Sequence, residues 1–238
     1  SLNLSAPIGI RVNSRKSSAP KLQTELLKND IHSEVQEEIY NCLIIKNKAN
    51  IKSHPFFLKG IYEIQDKGSQ RIGHFVNPKS GETVVDACAG AGGKSLQMAD
   101  LMKNKGRIIA LDIHQRKLDE LENRAYRNGI KICETHLLEE EFSSKLFNKT
   151  ADKLLLDVPC SGTGVIKRQP DTKWKLTEDQ LEDLITTQRT ILGNYLEMLK
   201  PDGELIYATC SIFKSENEDQ TLWFLENFPS YTLMEEIR

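Results

Sequence analysis

No apolar run in the 238-residue chain approaches the roughly 18 consecutive residues of a membrane-crossing helix, and no charged-then-apolar N-terminus reads as a secretory leader. A cytoplasmic address without membrane partners is expected. The five cysteines, Cys42, Cys88, Cys133, Cys160 and Cys210, are an odd number and contain no Cys-x-x-Cys pair. In a chain far above the size of disulfide scaffolds, that usage argues against structural disulfides and zinc, so no metal is expected. Neither sign of charge dominates, since 32 Lys and Arg against 34 Asp and Glu leave a net charge of -2. This balance excludes a general nucleic-acid coat but leaves room for a local basic surface. Internal repeats and low-complexity segments are also missing. What is present is 39% hydrophobic residues, enough for a sizeable core in one domain or one and a half.

Residues 1–66 read as a small α+β subdomain. A strand over Pro7–Asn13 has a basic exit at Arg11, Arg15 and Lys16, and a helix over Lys21–Lys28 follows, with Ser18 as its cap and Pro20 near its first turn. Further strands are expected at Cys42–Ile45 and Gly60–Asp66. Lys67, Arg71, His74 and Lys79 keep the next segment basic, which taken alone describes a solvated face. From Gly81 strands and helices alternate regularly. The expected strands are Thr83–Val85, Arg107–Leu111, Ile130–Cys133, Lys153–Leu156 and Leu205–Ala208, with helices over Lys94–Lys103 and His114–Asn128. Thr177 with Gln180 forms a capping box for a long helix whose apolar face runs from Leu181 to Leu199, and Lys200-Pro201-Asp202-Gly203 ends it. Ser215 with Glu218 repeats the capping pattern ahead of Leu222, Trp223 and Phe224, and Tyr231–Ile237 reads as a last strand. The alternation over 67–238 implies an α/β, Rossmann-like parallel sheet with helices on both faces.

Two loops carry chemistry. The turn Asp86-Ala87-Cys88-Ala89-Gly90-Ala91-Gly92-Gly93-Lys94-Ser95 lies between a strand and a helix, where glycines let the backbone approach a ligand. A nucleoside triphosphate loop would need glycine at position 88, and a dinucleotide turn needs G-x-G-x-x-G; the residues give neither. Asp112 lies 20 residues beyond Gly92 at the end of the next strand, where a carboxylate accepts ribose hydroxyls. The set suits a nucleoside cofactor without a pyrophosphate, such as S-adenosylmethionine, with the cofactor's carboxylate against the helix N-terminus and Lys94. A plain structural glycine turn is the other reading. The second loop, Asp157-Val158-Pro159-Cys160-Ser161-Gly162-Thr163-Gly164, follows a buried strand, and Tyr207-Ala208-Thr209-Cys210-Ser211 follows another. If those strands are neighbours, both sulfurs face one pocket.

These two thiol motifs, with Arg168-Gln169-Pro170-Asp171, Lys173-Trp174 and Glu216-Asn217-Glu218, resemble the RsmB/Nop2/Sun family of RNA cytosine-C5 methyltransferases. Ala6-Pro7, Arg11-Val12-Asn13 and Gln65-Asp66 resemble that family's N-terminal part, so the likeness covers nearly the whole chain. It implies a Rossmann-like, S-adenosylmethionine-dependent methyltransferase domain over 67–238, and an RNA-recognition-like α+β subdomain over 1–66 that binds RNA. Residue by residue it makes Cys210 the nucleophile and gives Cys160 a part in product release. Asp157 would contact the cytosine edge and lie close to the cofactor, while Cys88, Ala89, Gly90, Ala91, Gly92, Gly93, Lys94 and Asp112 hold the cofactor. The chemistry accounts for two thiols: C5 of cytosine is a poor nucleophile until a thiolate adds to C6, and the C5 proton must then leave. Lys167, Arg168, Lys173 and Trp174 would form a lip on the RNA. Cys42 and Cys133 read as inert core residues, and His114 and His136 have no catalytic role.

Departures from the pattern are visible. Family members usually have Ala-Pro-Gly-Gly-Lys-Thr where this chain has Gly90-Ala91-Gly92-Gly93-Lys94-Ser95, and the Asp that many carry after the third strand has no counterpart in Cys133-Glu134-Thr135-His136. Relatives also continue into a final Gly-Phe-Phe strand, so either the chain extends beyond Arg238 or the sheet lacks its last strand. The substrate is expected to be ribosomal or transfer RNA and the protein a monomer. Two other readings share the residues: an RNA-binding assembly factor on a silent methyltransferase scaffold, and a methyltransferase acting on an amine, which would not need Cys210.

Overall fold

The computed structural model describes residues 6–139, 144–168 and 176–237. Its first part runs β1 (Ile8–Val12), α1 (Ala19–Leu27), β2 (Ser33–Gln36), β3 (Cys42–Ile45), α2 (Pro55–Leu58) and β4 (Tyr62–Ile64). The strands pair antiparallel in the order β2-β3-β1-β4, a β-α-β-β-α-β arrangement. Alternation along the strands sends Ile10, Val12, Leu43, Ile45 and Tyr62 to one face, which α1 covers with Ala19, Leu22 and Leu26. Arg11 pairs across the ladders with Cys42 and Glu63 on the opposite face, and all three are buried as well. The helix α3 (Lys67–Val76) lies there, and Gly9 has room for no side chain, because a Cβ would stand 2.6 Å from the Gln65 carbonyl oxygen. Most of both faces of this small sheet is covered, with Glu34 of the edge strand β2 left exposed.

The second part contains β5 (Thr83–Asp86), α4 (Gly93–Leu101), β6 (Arg107–Asp112), α5 (Gln115–Asn128), β7 (Cys133–Leu137), β8 (Ala151–Asp157), α6 (Glu178–Asn194), β9 (Leu199–Ala208) and α7 (Glu218–Asn227). The strands pair in parallel in the order β7-β6-β5-β8-β9. Val85, Ile109, Leu111, Leu154 and Leu156 face one core with Leu192 and Phe224, whereas Val84, Ile108, Leu155 and Ile206 face the other with Val76, Leu96, Met98 and Met102. Burial on both sides explains why Leu154-Leu155-Leu156 is an unbroken apolar run, each member worth roughly 1.5–3 kcal/mol when fully buried. From β5 the chain winds out through β6 to β7, then returns to β8 on the other side. The order therefore reverses between β5 and β8, and ligands bind at the carboxyl ends of strands at such a reversal. The glycine turn follows β5 and the Pro-Cys loop follows β8.

Several local expectations are corrected. The third strand of the parallel sheet is Cys133–Leu137 rather than Ile130–Cys133, because the Ile130 N–H is taken by the Ala125 carbonyl at the end of α5. Residues Tyr231–Ile237 form no strand; the Tyr231 ring packs on Phe224, and the residues that follow are exposed. The capping box at Thr177 is formed, but Ser215 caps nothing: Lys214–Glu216 is a short 3₁₀ turn, and α7 starts from Asn217. Ser18 precedes α1 without a side-chain bond to it. The long helix ends at Asn194, and Lys200–Gly203 already belongs to β9. The elements β2, α2 and α3 were not read from the sequence.

Candidate active site

Because β8 and β9 are adjacent and parallel, Asp157 pairs with Ala208 and the two following loops leave the same edge of the sheet. The Val158 N–H bonds the Ala208 carbonyl, and the Gly164 N–H returns to the Cys210 carbonyl at 2.8 Å. Only glycine permits that return, since a Cβ at Gly164 would lie 2.8 Å from the Cys210 oxygen. The result is a pair of thiols with Cys160 Sγ 3.2 Å from Cys210 Sγ, and with the Cys210 N–H donating to Cys160 Sγ at 3.3 Å. Hydrogen bonds from the Cys210 thiol and from the Cys210 and Gly162 N–H groups hold Cys160 down to about 7, against an ordinary thiol value near 9. Cys210 moves the other way, raised by Cys160, by burial and by the nearby Asp157. Of the two sulfurs, Cys160 is therefore the readier thiolate.

The remaining thiols behave differently. Burial pushes Cys42 up to about 11 and both Cys88 and Cys133 up to about 12, so they stay protonated and unreactive.

A buried polar network fixes the pair. Glu216, fully excluded from solvent, accepts from the Ser161 N–H at 2.8 Å, from Ser161 Oγ at 2.5 Å and from Gln188 Nε2 at 3.0 Å. Ser161 Oγ also meets Ser211 Oγ at 3.0 Å, so the residue after each cysteine belongs to one network. Asn217 donates to the Ser211 and Phe213 carbonyls and accepts from Thr209 Oγ1, tying the Cys210 loop to the start of α7. Sequence reasoning quoted Glu216 and Asn217 only as part of a motif and missed their structural part. The available signal was Gln188, an amide on the helix face that carries Leu184, Ile185, Ile191 and Leu192; nothing local marked Glu216.

On the cofactor side, Gly92 adopts φ +80° and a Cβ there would stand 2.4 Å from Leu121 of α5, so only glycine fits. A Cβ at Gly90 or Gly93 would meet nothing within 4 Å, which leaves open space over the turn. No side chain caps the first turn of α4, so its N–H groups are free of a capping partner. The Asp112 carboxylate accepts from the Gly90 and His114 N–H groups at 2.8 and 2.9 Å. A carboxylate has about four acceptor positions, so two remain for ribose hydroxyls. Open glycines, free helix-end donors and a fixed carboxylate fit a nucleoside bearing an anionic tail. Lys94, read as a partner for the cofactor's carboxylate, reaches Asp157 Oδ2 instead and joins the glycine turn to the thiol site.

The expected RNA lip is only partly visible. Lys167 is exposed, whereas Arg168 is engaged by the Pro7 carbonyl and an ion pair with Asp66, pinning the thiol loop to the first sheet. Lys173 and Trp174 lie outside the described residues. His114 and His136 lie away from the thiols, before α5 and in β7. Among the described residues no cluster of three or more His, Cys, Asp or Glu side chains could hold a metal, and no helix is long and apolar enough to cross a membrane.

Residues 74–237 match the family described as 16S rRNA methyltransferase RsmB/F, a span that holds the glycine turn, Asp157 and both paired thiols. The chain belongs to the RsmB/F family. It is 34% identical over 223 residues to the probable ribosomal RNA small subunit methyltransferase B of Bacillus subtilis (strain 168), covering 93% of this chain and 50% of that protein. Two crystal structures are similar to it. That of PH0851 has a TM-score of 0.91 and 36% identity, covering 96% of this chain and 52% of the other. A methyltransferase homologue from Pyrococcus horikoshii has a TM-score of 0.83 and 32% identity, covering 95% of this chain and 72% of the other. The fold is thus that of the Rossmann-like, S-adenosylmethionine-dependent methyltransferases to which the RsmB/F proteins belong. The chain spans about half the length of the curated RsmB-type relatives it matches.

Proposed function

We propose that this RsmB/F protein methylates C5 of a cytosine in small-subunit ribosomal RNA, with Cys210 bonded to C6 during the reaction. The observation that carries the reading is the pair of sulfurs 3.2 Å apart at the ends of neighbouring strands, on the sheet edge that also bears Asp157 and the glycine turn. S-adenosylmethionine, when bound at Cys88–Lys94 and Asp112, supplies an electrophilic methyl group. The protein's residues prepare the base for it. The Cys210 thiol gives up its proton to solvent as the Cys210 Sγ–C6 bond forms, and C5 becomes enamine-like. Asp157, steadied by Lys94, takes hydrogen bonds from the cytosine edge and offsets the charge that develops there. Cys160, the readier thiolate, then removes the C5 proton, and elimination of Cys210 restores the ring. The cytosine must enter unpaired or flipped out of a helix. Residues 1–66 are proposed to bind RNA through edges and loops, because most of both faces of their sheet is covered. The names of the relatives support ribosomal rather than transfer RNA.

The test uses Cys160→Ser protein with cofactor and small-subunit RNA lacking the modification. A denaturation-resistant protein–RNA adduct that disappears with Cys210→Ser is expected. No adduct, together with no methyl transfer by the unsubstituted protein, would favour an RNA-binding assembly factor; methyl transfer that survives Cys210→Ser would point to an amine acceptor.

A further inference from the structure

The glycine turn is supported from behind by one face of α5. Leu121 fills the space that a side chain at Gly92 would need, and Arg124, three residues on, donates from Nη1 to the Ala91 carbonyl. Arg124 does not hold that pose alone. Its Nε and Nη2 are 3.0 and 2.9 Å from Glu63 Oε2, and Glu63 belongs to β4 of the first sheet. Glu63 is 2% exposed. Burial alone would raise its pKa, but Arg124, with Arg127 and Asn128, holds it below the ordinary carboxylate value. A buried, fully bonded carboxylate thus fixes a planar guanidinium whose remaining N–H points at the turn. A fork of this kind orients where an ammonium would not.

We propose that Glu63 and Arg124 are positioning residues for the cofactor turn, so that the N-terminal sheet is a working part of cofactor binding as well as of RNA contact. The proposal rests on the reading of Cys88–Lys94 as the cofactor turn. The Ala91 carbonyl lies between Gly90 and Gly92, which both have positive φ; Asp112 holds the Gly90 N–H and the Ala89 carbonyl holds the Gly92 N–H, while the Arg124 guanidinium holds the Ala91 carbonyl between them. Arg127 supplies the control. It bonds the same Glu63 and stacks over Phe57 at 4.2 Å, but makes no bond to the turn.

Binding of S-adenosylhomocysteine is measured by calorimetry for the full chain and for Arg124→Met, Arg124→Lys and Arg127→Met. Amide exchange at positions 90–93 is followed in the ligand-free proteins. Loss of one charge-assisted bond to the turn is expected to raise Kd about tenfold in both Arg124 variants. Exchange at the turn should quicken in both, and KM for S-adenosylmethionine should rise with little change in kcat. Arg127→Met should lower Tm while leaving Kd within about twofold. If Arg124→Met fails to fold, Arg124→Lys, which keeps a cation beside Glu63, decides the matter. Unchanged Kd and exchange in Arg124→Lys overturns the proposal, and so does an equal loss in Arg127→Met, which would mean general loosening. Failure of the unsubstituted protein to bind S-adenosylhomocysteine instead removes the cofactor reading itself, and the exchange data then show separately whether Arg124 orders the turn.

Discussion

Replacing Glu216 tests whether the thiol pair is held by a network or merely by its loops. The Glu216 side chain is fully buried and receives three donors, but these are not equally dependent on it. Gln188 Nε2 also bonds the Pro159 carbonyl at 3.0 Å, and Ser161 Oγ has Ser211 Oγ and Thr163 Oγ1 within 3.2 Å. Only the Ser161 N–H loses its sole acceptor in the network when Glu216 becomes alanine. An orphaned buried N–H costs about 1–3 kcal/mol, and the space left by the deleted side-chain atoms adds about 1 kcal/mol or more. The expected cost of Glu216→Ala is therefore about 2–4 kcal/mol, against a total stability of about 5–15 kcal/mol for a domain. The protein should still fold. Glu216→Gln keeps the shape and one acceptor for Ser161, and the Ser161 hydroxyl can turn to accept from the new amide, so about 1 kcal/mol is expected. Urea unfolding with an unchanged m-value gives the stability, and adduct formation by the Cys160→Ser background gives the function. A shift of the cysteines by about 1 Å is enough to slow the chemistry on the order of 100-fold, so Glu216→Ala should fall much further in adduct rate than in stability. A loss below 1 kcal/mol with an unchanged adduct rate would refute the network's role.

Three further outcomes follow from the same geometry. Alkylation of Cys160 by iodoacetamide should rise with pH around a midpoint near 7, because the thiolate forms above that value; Cys210→Ala, which removes the thiol donor, should move the midpoint up towards 9, and an unmoved midpoint would disconnect the two sulfurs. Gly164→Ala places a methyl group 2.8 Å from the Cys210 oxygen, so the backbone must part there at a cost of about 1–3 kcal/mol, and the Cys210 adduct with RNA should form more than about tenfold slower. Dilute hydrogen peroxide should convert the Cys160 thiolate to a sulfenic acid that the Cys210 thiol condenses with, releasing water; peptide mapping should show a Cys160–Cys210 disulfide, lighter by the mass of two hydrogens and reversed by dithiothreitol, while Cys42, Cys88 and Cys133 remain thiols.

Much of the parallel sheet was legible because its signals are local. Leu154 to Leu156 is apolar at every position, which in a segment bounded by a Pro-Gly loop means a strand buried on both faces. Thr177 and Gln180 announce the start of α6 by themselves. Signals failed where a neighbour in space overrode them. Ser215 and Glu218 have the right spacing for a cap, but Glu216 is drawn inward to Ser161 and Gln188, and α7 starts later, at Asn217. Tyr231–Ile237 alternates like a strand, yet its first ring is used to cover Phe224. In α3, Arg71 is exposed as expected of a solvated face, while Gln70, Gly73 and Val76 of the same helix are buried.

By itself the sequence determined which groups are available: two thiols and a carboxylate at strand ends, a glycine turn, and an acidic residue one strand on. Spacing and residue type suffice for that, since a turn that needs positive φ and a strand that needs apolar side chains declare themselves within a few residues. Tertiary structure decided how those groups act on one another. Strand order placed Cys160 against Cys210, turned Lys94 towards Asp157, and laid Glu63 of one sheet on Arg124 behind the glycine turn of the other. Each of these contacts joins residues about 50 or more positions apart, and the bond strengths, proton positions and orientations that follow depend on distances of a few ångströms that no local pattern encodes.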